Sequence, residues 1–593
     1  MRAKYLAERD KRLVPGRTAT LDLEGDPGAV RYLEDPFTPV TEREPVHTGV
    51  DVLVVGAGIA GLLVAHQLRA HGIEDVRLID RAGDVGGTWY WNRYPGVMCD
   101  VESYIYMPLL EELDYVPRDR YASGAEIHAH LDAVADRFDL RRGGLFHTGV
   151  ERAVWDEGAA RWLVTTDRGD ELRARYYVLA VGILNRLKVP ALPGLDEFTG
   201  RTFHTARWDY DYTGGGPDEP LTGLRDRSVA LVGTGATGIQ IVEPLGAAAR
   251  QVYVVQRTPS AIGVRDNRPT DERFTDRIGP GWQSERMDNF QAVMAGLRVD
   301  EDLVDDAWTH DYASVVNPRR EPGQSGEDFV RSIEEFDYRV MESHRRRVAE
   351  LVDDPATAES LKPFYRYRCK RPCFHDEFLS AFNRPNVELI HAPAGIERVT
   401  EHGFVVDGGE YQVDCIIFAS GFEPELTPIH RRAGHQIVGR GGRTLAEKWA
   451  DGAATLFGVT TGGFPNLFIM PAPGQQAVVT VNYTHLAVFG AEFVAGTIAA
   501  LRDAGVEWFD VDPAAEQAWV QQVLDRHVDG SRFLADCTPS RINNEGDPAA
   551  MDPRSGNYGG GFGDFFGYRE LLRSWLADGR FDGFELHGGT TDP

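Results

Sequence analysis

The sequence predicts an α/β fold with two Rossmann-like domains and a mostly helical insertion. Two GxGxxG loops, at 56–61 and 233–238, each follow a short apolar run and precede a stretch with helical periodicity, which is the order of elements in a βαβ unit. A third observation is the segment at about 265–360, which is charged, poor in strand signals and helical in pattern at 327–352. A chain of 593 residues is too long for one hydrophobic core, so we expect two or three domains.

Composition and charge argue against several classes of protein. The net charge of −28 repels nucleic acid phosphates, so nucleic-acid binding is not expected. No run of 18 apolar residues is present, so we predict no membrane span. The first thirteen residues are highly charged and contain no apolar signal region, which indicates a cytoplasmic protein. Five scattered cysteines suit a reducing compartment and argue against a disulfide scaffold.

The first loop has the features of a site for a dinucleotide without a ribose phosphate. Gly56, Gly58 and Gly61 permit a tight turn, close backbone approach to a pyrophosphate and close packing of the following helix. The start of that helix offers free N–H groups to phosphates. Asp80 comes 24 residues after Gly56, at the end of the next apolar run. A carboxylate there accepts hydrogen bonds from ribose hydroxyls and repels a ribose phosphate.

The second loop, at 233–238, has the same spacing but the opposite charge at its end. Arg257 lies 24 residues after Gly233, in the position that Asp80 takes after the first loop. A guanidinium there suits a ribose 2′-phosphate through charge-assisted hydrogen bonds, and Thr258 adds a hydroxyl. We therefore expect FAD at the first loop and NADPH at the second, in two Rossmann-like dinucleotide-binding domains.

The predicted domains follow from these loops and from two similar strand endings. One apolar run ends at Gly182, and another, at 415–418, ends in Ala-Ser-Gly. This similarity suggests that the chain leaves the FAD domain and later returns to it. We predict an N-terminal extension at 1–50 that wraps the surface, the first part of the FAD domain at 51–187, the NADP domain with the helical insertion at 188–395, and the second part of the FAD domain with a C-terminal lid or loop region at 396–593.

The cysteine pattern helps to separate the enzyme classes that use two dinucleotides. A disulfide reductase needs a CxxC pair beside the flavin, whereas the close pair here, Cys369 and Cys373, is spaced CxxxC. Zinc needs about four ligands, and no second pair lies nearby in the sequence. We therefore interpret both as ordinary cysteines and predict no metal site. A simple flavin reductase would leave the remaining motifs unexplained, which favours monooxygenases that use NADPH, FAD and dioxygen.

The segment at 198–209 reads FxGxxxHxxxWD, through Phe198, Gly200, His204, Trp208 and Asp209. It resembles the fingerprint of Baeyer–Villiger monooxygenases, flavoproteins that convert ketones to esters or lactones. Related flavin monooxygenases of amines and sulfides normally lack the Trp followed by Pro or Asp. The resemblance implies that this motif is a hinge and linker. On physical grounds too, a histidine such as His204 is more often structural than catalytic.

Other segments extend the resemblance over roughly 50–590. The segment 86–96 is similar to the flavin-side loop of the family, and 419–422 to its second, shorter signature. The stretch at 4–20 resembles the extension of members that act on large cyclic or polycyclic ketones. The resemblance therefore implies a bulky cyclic ketone and dioxygen as substrates.

The resemblance also implies the chemistry and the residues that carry it. In the family, a flavin peroxide formed from reduced FAD and dioxygen attacks the ketone, which calls for a fixed positive charge in a low-dielectric pocket. Arginine keeps its proton when buried, whereas lysine can lose it. By resemblance, Arg371 is the catalytic arginine, Asp100 is the catalytic-site carboxylate that holds it, and Lys370 contacts NADPH. A buried Arg–Asp pair also avoids an unpaired charge.

Cofactor contacts are carried over in the same way. The resemblance implies FAD contacts at Gly56, Gly58, Gly61, Asp80, Thr88, Trp89, Trp91, Asp100, Tyr106 and Val150. It implies NADPH contacts at Thr234, Gly235, Ala236, Thr237, Gly238, Ile239, Gln240, Arg257, Thr258, Lys370 and Arg371, with Met98 and Cys99 as further candidates.

Two departures from the family pattern concern late loops. Many members have a tryptophan on the loop that closes over NADP, whereas 537–543 has none. The loop at 472–476, where substrate-facing residues are expected, also differs from the more frequent version. Two alternatives stay open at this point: a nitrogen- or sulfur-oxygenating monooxygenase with the same cofactors, and a catalytically inactive nucleotide-binding regulator.

Overall fold

Strands of two separate sheets lead into the two glycine loops. The computed structural model describes residues 1–16, 18–318, 320–424, 426–560 and 564–588. Its strands, in chain order, are β1 (His47–Val55), β2 (Val76–Ile79), β3 (Val150–Asp156), β4 (Arg161–Thr166), β5 (Glu171–Leu179), β6 (Arg201–His204), β7 (Ser228–Val232), β8 (Gln251–Gln256), β9 (Ile262–Gly263), β10 (Cys373–Phe374), β11 (Val387–His391), β12 (Arg398–Thr400), β13 (Gly403–Val406), β14 (Gly409–Gln412), β15 (Cys415–Phe418), β16 (Gln436–Val438), β17 (Leu467–Ile469), β18 (Trp508–Val511) and β19 (Phe584–His587).

Helices make up most of the remaining regular structure. In chain order they are α1 (Arg2–Asp10), α2 (Ile59–Ala70), α3 (Thr88–Trp91), α4 (Ser103–Tyr106), α5 (Gly124–Arg137), α6 (Tyr210–Thr213), α7 (Gly238–Ala248), α8 (Trp282–Met294), α9 (Ala313–Val316), α10 (Gly326–Leu351), α11 (Pro355–Leu361), α12 (Ile429–Ala433), α13 (Leu445–Lys448), α14 (Tyr483–Asp503), α15 (Pro513–Asp525), α16 (Ser531–Ala535) and α17 (Phe565–Asp578).

The first sheet has the strand order β16-β3-β4-β5-β1-β2, and β17 also pairs with β5. Its centre is parallel, because β1 pairs in parallel with both β2 and β5. The end of β1 is buried, as expected for a central strand of a parallel sheet. The loop after β1 requires glycine: Gly56 has φ +107°, and a Cβ on Gly61 would lie 1.9 Å from the carbonyl oxygen of Gly56. This close approach allows α2 to begin directly after the strand.

The second sheet has the order β11-β8-β7-β15-β6, and its strands are all parallel. Its glycine loop repeats the first one, since Gly233 has φ +115° and a Cβ on Gly238 would lie 2.1 Å from the carbonyl oxygen of Gly233. The predicted α/β fold with two Rossmann-like units is therefore confirmed.

Strand pairing corrects the domain boundary predicted at 396. Strand β15, which we expected to return to the first sheet, lies between β7 and β6 in the second sheet. The chain rejoins the first sheet at β16, which pairs with β3, and at β17. A short apolar run shows that a strand is buried but does not show which of two similar sheets it enters, because that depends on long-range pairing.

The segment at 265–360 forms a helical layer beside the second sheet. Every regular element described between these positions is a helix. The longest, α10, begins at the N-cap Ser325, whose hydroxyl accepts a hydrogen bond from the Asp328 amide. One side of α10 is buried, and Arg345 on that side donates to the hydroxyl of Tyr5 in α1 at 3.0 Å. The N-terminal segment is thereby held against the helical layer.

The rest of the N-terminal segment runs over both units. The Leu21 amide donates to the carbonyl of Val189 at 2.9 Å. The side chain of Tyr32 is buried, and its hydroxyl is 2.8 Å from that of Thr202 near the start of β6. Residues of this segment, such as Leu21, also lie on the wall of the cavity described below.

Helix α14 is long and apolar enough to cross a membrane by length and composition. However, 78% of its apolar stretch is buried inside the protein. It packs against α2, α4 and α17. These contacts are those of a core helix.

A disulfide joins Cys369 to Cys537, with 5.2 Å between their Cα atoms. The interpretation of Cys369 as an ordinary cysteine is therefore wrong, whereas Cys373 is free and buried. The partners are 168 residues apart, so the spacing of neighbouring cysteines does not predict this pairing. The bond connects the segment before Lys370 and Arg371 to the late loop at 537–546.

Candidate active site

A cavity of about 1350 Å³ runs between the two glycine loops. Most residues predicted to bind cofactors line it: Gly56, Gly58, Asp80, Thr88, Trp89, Trp91, Asp100, Tyr106, Val150, Thr234, Gly235, Ala236, Thr237, Gln240, Arg257, Thr258, Lys370 and Arg371. Met98 and Cys99 line it as well. The predicted residues Gly61, Gly238 and Ile239 lie in the first turns of α2 and α7 instead.

The carboxylate of Asp80 is fixed at the end of β2. One oxygen accepts a hydrogen bond from the Ala57 amide at 2.7 Å, and the other accepts one from the Ala82 amide at 2.9 Å. Burial raises the pKa of Asp80, and these two hydrogen bonds oppose part of that rise. A carboxylate has about four lone-pair positions, so Asp80 retains the capacity to accept from ribose hydroxyls.

Two short helices bring aromatic side chains to the same part of the wall. Helix α3 carries Trp89 and Trp91, and α4 ends at Tyr106. The indole nitrogen of Trp89 donates to the hydroxyl of Tyr106 at 3.1 Å. Burial raises the pKa of Tyr106, so its hydroxyl keeps its proton. These side chains form an aromatic part of the cavity wall.

The late loop at 537–546 contacts the basic residues of the second site. Arg257 donates to the carboxylate of Glu545 at 3.1 Å and to the carbonyl of Pro539 at 3.3 Å. Lys188 donates to the other oxygen of Glu545 at 2.5 Å. Burial raises the pKa of Glu545, but the charges of Lys188 and Arg257 outweigh it and hold this pKa at about 2. The loop has no tryptophan; Ser540, Arg541, Ile542 and Glu545 line the cavity instead, and the Pro539 carbonyl accepts hydrogen bonds from the basic residues.

Sequence reasoning assigned no role to Lys188 or Glu545. Lys188 lies in the sequence between the two glycine loops, and Glu545 lies in the late loop, much further along the chain. No local spacing connects two residues that are 357 positions apart. The opposite charges of Lys188 and Glu545 were the only indication of an ion pair in the sequence. Without the fold, many other pairs of opposite charge would have fitted equally well.

Arg371 and Asp100 form a two-pronged ion pair. The two terminal nitrogens of Arg371 donate to the two carboxylate oxygens of Asp100, each at 2.6 Å. The guanidinium carbon lies 5.1 Å from the ring centre of Trp308, and the Trp308 indole nitrogen donates to the carbonyl of Asp100 at 2.7 Å. Burial by itself lowers the pKa of Arg371, but the charge of Asp100 outweighs it and raises this pKa above its ordinary value. The site therefore holds a permanent cation in one orientation.

Lys370 precedes this arginine, lines the cavity and contacts the late loop. Its amine donates to the carbonyl of Pro539 at 3.1 Å. Burial, together with the positive charge of Arg257, lowers the pKa of Lys370 to about 7. Unlike Arg371, this side chain can gain or lose its proton near neutral pH.

The residues of the 198–209 motif lie outside the cavity wall, apart from Arg207. His204 is fully buried; its Nδ1 accepts from the Ala206 amide and its Nε2 lies 3.1 Å from the carbonyl oxygen of Gly421. Burial lowers the pKa of His204 to about 3, so the ring is neutral. This bond ties the motif to the segment at 419–422.

The remaining motif residues are structural as well. The indole nitrogen of Trp208 donates to the Thr213 hydroxyl at 3.0 Å, and Asp209 accepts from the amide of Tyr212 at 3.0 Å. A Cβ on Gly200 would lie 2.4 Å from the Phe198 ring, so glycine is required there. These contacts support the linker interpretation.

The cavity wall fits two dinucleotides. Neither α2 nor α7 has a capping side chain, so N–H groups at both starts are available to phosphates. A Cβ on Gly235 would meet no described atom within 4 Å, which leaves room for a pyrophosphate against the backbone. The hydroxyl of Thr258 is buried and has no hydrogen-bond partner among the described residues. A phosphate beside Arg257 would supply one.

Together, the fold and the cavity define a flavoprotein oxidoreductase with a second site for a nicotinamide dinucleotide. Residues 54–114 match the family model for an NAD(P)-binding Rossmann-like domain. The chain is 44% identical to a Baeyer–Villiger monooxygenase of Streptomyces coelicolor, covering 98% of this chain and 95% of the relative. It therefore belongs to the Baeyer–Villiger monooxygenase family, and it uses FAD and NADPH.

Two further comparisons cover nearly the whole chain. The pentalenolactone D synthase of Streptomyces exfoliatus is 48% identical, over 99% of this chain and 100% of the relative. The solved structure of a polycyclic ketone monooxygenase from Thermothelomyces thermophila matches with a TM-score of 0.90 and 36% identity, over 99% of this chain and 98% of that one. The alternative of a nitrogen- or sulfur-oxygenating enzyme is not favoured by these relatives.

Proposed function

We propose that this enzyme oxygenates bulky cyclic ketones to lactones, with Arg371 as the catalytic cation and Asp100 as the residue that positions it. The observation that carries the proposal is that a single cavity of about 1350 Å³ connects both glycine loops to the Arg371–Asp100 pair. A relative named as a lactone synthase and one named for polycyclic ketones support the substrate class.

The wall near Arg371 suits an apolar substrate. Trp308 and Tyr312 line it, with 5.1 Å between their ring centres. Of the loop at 472–476, Ala472 lines the cavity, whereas the buried side chain of Gln475 donates to backbone carbonyls. That loop therefore contributes less side-chain surface to the cavity than expected.

The chain contributes charge, orientation and exclusion of water. FAD, when bound, supplies the activation of dioxygen, and NADPH supplies the reducing equivalents. Arg371 stabilises negative charge that develops on oxygen atoms in the cavity, because a guanidinium fixed beforehand needs no reorganisation during the reaction. Asp100 fixes the orientation of the planar guanidinium through two hydrogen bonds, and the centre of the Trp308 ring lies 5.1 Å from the guanidinium carbon.

A ketone panel tests the substrate class. Purified enzyme with FAD and NADPH is offered small monocyclic, macrocyclic and polycyclic ketones, and products are identified by mass because NADPH can be consumed without oxygenation. We expect the bulky ketones to exceed cyclohexanone in kcat/KM by at least about tenfold, since each apolar group that fits a pocket contributes about 1–3 kcal/mol. A preference for the smallest ketones would contradict the proposed substrate class.

Arg257 tests the assignment of NADPH to the second loop. Replacing Arg257 with glutamine removes a charge-assisted bond to the 2′-phosphate, so we expect the Kd for NADPH to rise about 10- to 100-fold. The Kd for NADH should change little, because NADH has no phosphate there. Arg250→Gln, at an exposed position, is the matched control. Equal losses for both nucleotides would count against the assignment.

Lys370 gives the site a predicted pH dependence. Its pKa of about 7 means that it is charged below neutral pH and uncharged above it. Binding of 2′,5′-ADP should therefore tighten as pH falls from 8.5 to 6.5, a range above the phosphate pKa of about 6. Calorimetry across this range should show the slope in the wild type and its loss in Lys370→Met. An unchanged slope in that variant would rule out Lys370 as the titrating group.

A further inference from the structure

Arg207 is a buried cation on the cavity wall that none of the roles above uses. It lies between His204 and Trp208 of the linker motif, but its side chain lines the cavity. Its guanidinium carbon is 3.4 Å from the ring centre of Trp91, and Nη1 donates to the carbonyl of Ala206 at 2.7 Å. The Nε atom is buried and has no hydrogen-bond partner among the described residues.

The nearest carboxylates do not pair with this guanidinium. Asp35 already accepts from the hydroxyl of Tyr90, the His147 ring and the Gly83 amide. Asp80 already accepts from two backbone amides. Within the described part of the chain, no carboxylate oxygen lies within 4.0 Å of the Arg207 nitrogens.

Several other arginines on the same wall pair with carboxylates. Arg186 pairs with both Glu24 and Glu423, and Arg431 pairs with Glu423. A buried cation without such a partner is unfavourable, and accordingly burial lowers the pKa of Arg207 to about 9. One carbonyl and the face of Trp91 do not neutralise its charge, so an anionic ligand is the expected partner.

We propose that Arg207 binds the pyrophosphate of FAD. Arg207 shares the wall with Gly56, Gly58, Asp80 and Trp91. If the ribose is bound by Asp80 and the phosphates lie at the start of α2, the diphosphate falls on this side of the cavity. The helix start supplies only about half a positive charge, which does not neutralise a diphosphate. A full cation beside the diphosphate would therefore add to its binding. This inference rests on the proposed assignment of the first loop to FAD.

The second anionic site is separate from Arg207. The 2′-phosphate of NADPH is assigned to Arg257, Thr258 and Lys370; Arg257 and Lys370 both donate to the Pro539 carbonyl of the late loop, and Thr258 contacts Thr234 of the second glycine loop. Arg207 instead packs on α3, which follows the first loop. In this proposal, Arg207 connects the linker motif directly to the flavin. A movement of the linker would therefore shift the cation that binds the flavin phosphates.

Flavin binding to the apoprotein tests this role. We expect Arg207→Gln to raise the Kd for FAD about 10- to 100-fold, the range for hydrogen bonds to a charged group. Arg207→Lys should recover part of the loss, and higher salt should weaken FAD binding more in the wild type than in Arg207→Gln. Arg186→Gln, which removes a cavity-lining arginine that already has carboxylate partners, is the matched control and should bind FAD almost normally.

Thermal unfolding separates this role from a structural one. Because Arg207 is uncompensated without ligand, the apo form of Arg207→Gln should unfold at or above the wild-type Tm, and FAD should raise that Tm less than in the wild type. A lower apo Tm together with an unchanged FAD Kd would overturn the proposal. If wild-type protein itself binds no FAD, the flavin assignment fails and the proposal fails with it. If the wild type binds FAD and Arg207→Gln binds it equally well, only the role of Arg207 fails.

Discussion

Replacing Arg371 with alanine should abolish ketone oxygenation while the protein keeps its flavin. The guanidinium is held in one orientation by Asp100 and Trp308, and no other described side chain takes its place against Asp100. Loss of one preorganised group that stabilises developing negative charge lowers kcat about 10²- to 10³-fold in other enzymes. We expect at least that loss in lactone formation, measured by product mass.

Two controls make this result specific to oxygenation. NADPH should still bleach the flavin of Arg371→Ala, because the proposed role of Arg371 is to stabilise negative charge on oxygen atoms after the flavin has been reduced. Arg371→Lys keeps a positive charge but loses the two-pronged geometry, so its rate should fall between those of the wild type and Arg371→Ala. Wild-type rates of lactone formation in Arg371→Ala would show that another group carries this role.

Replacing Asp100 with alanine should reduce both stability and activity. It leaves the Arg371 cation without its counter-ion, and breaking a buried pair costs about 3–5 kcal/mol. The Arg371 side chain is 32% exposed to the cavity, so solvent screening reduces the expected loss to about 2–3 kcal/mol. Urea unfolding of the FAD-bound protein measures this loss, and lactone formation should fall about 100-fold because the guanidinium loses its orientation.

Asp100→Asn is the matched control, because it keeps the shape and one acceptor but removes the charge. The double variant Arg371→Met, Asp100→Leu should recover stability relative to Asp100→Ala, since an apolar pair leaves no unpaired charge, yet remain inactive. A cycle of Arg371→Met alone, Asp100→Leu alone and the double variant isolates the coupling between the two residues. A coupling energy near zero would contradict the ion pair as the organising feature of the site.

Sequence reasoning reached features that are local along the chain. The loops at 56–61 and 233–238, and the opposite charges of Asp80 and Arg257 after them, follow from βαβ geometry alone. The partnership of Arg371 with Asp100 spans 271 positions and was available only through the family resemblance. In each case, the pattern contained either a fixed spacing or a recognisable motif.

Features that depend on tertiary proximity were missed. Glu545 meets Arg257 and Lys188 only after the late loop folds back, and Cys369 meets Cys537 in the same way. The segment of β15 was correctly predicted to be a strand but was assigned to the wrong sheet, because a burial pattern does not show which strands pair. Arg207 stood inside a recognised motif, but only the structure shows that its charge faces the cavity without a carboxylate.

The most direct test of the account is oxygen incorporation from labelled dioxygen. Purified enzyme with FAD, NADPH and isotopically labelled dioxygen is given an equimolar mixture of a polycyclic ketone and a tertiary amine. We predict a lactone that carries one labelled oxygen atom in its ring, formed in preference to any N-oxide. Labelled N-oxide with unchanged ketone would contradict the account, and so would NADPH consumption that leaves both compounds unchanged.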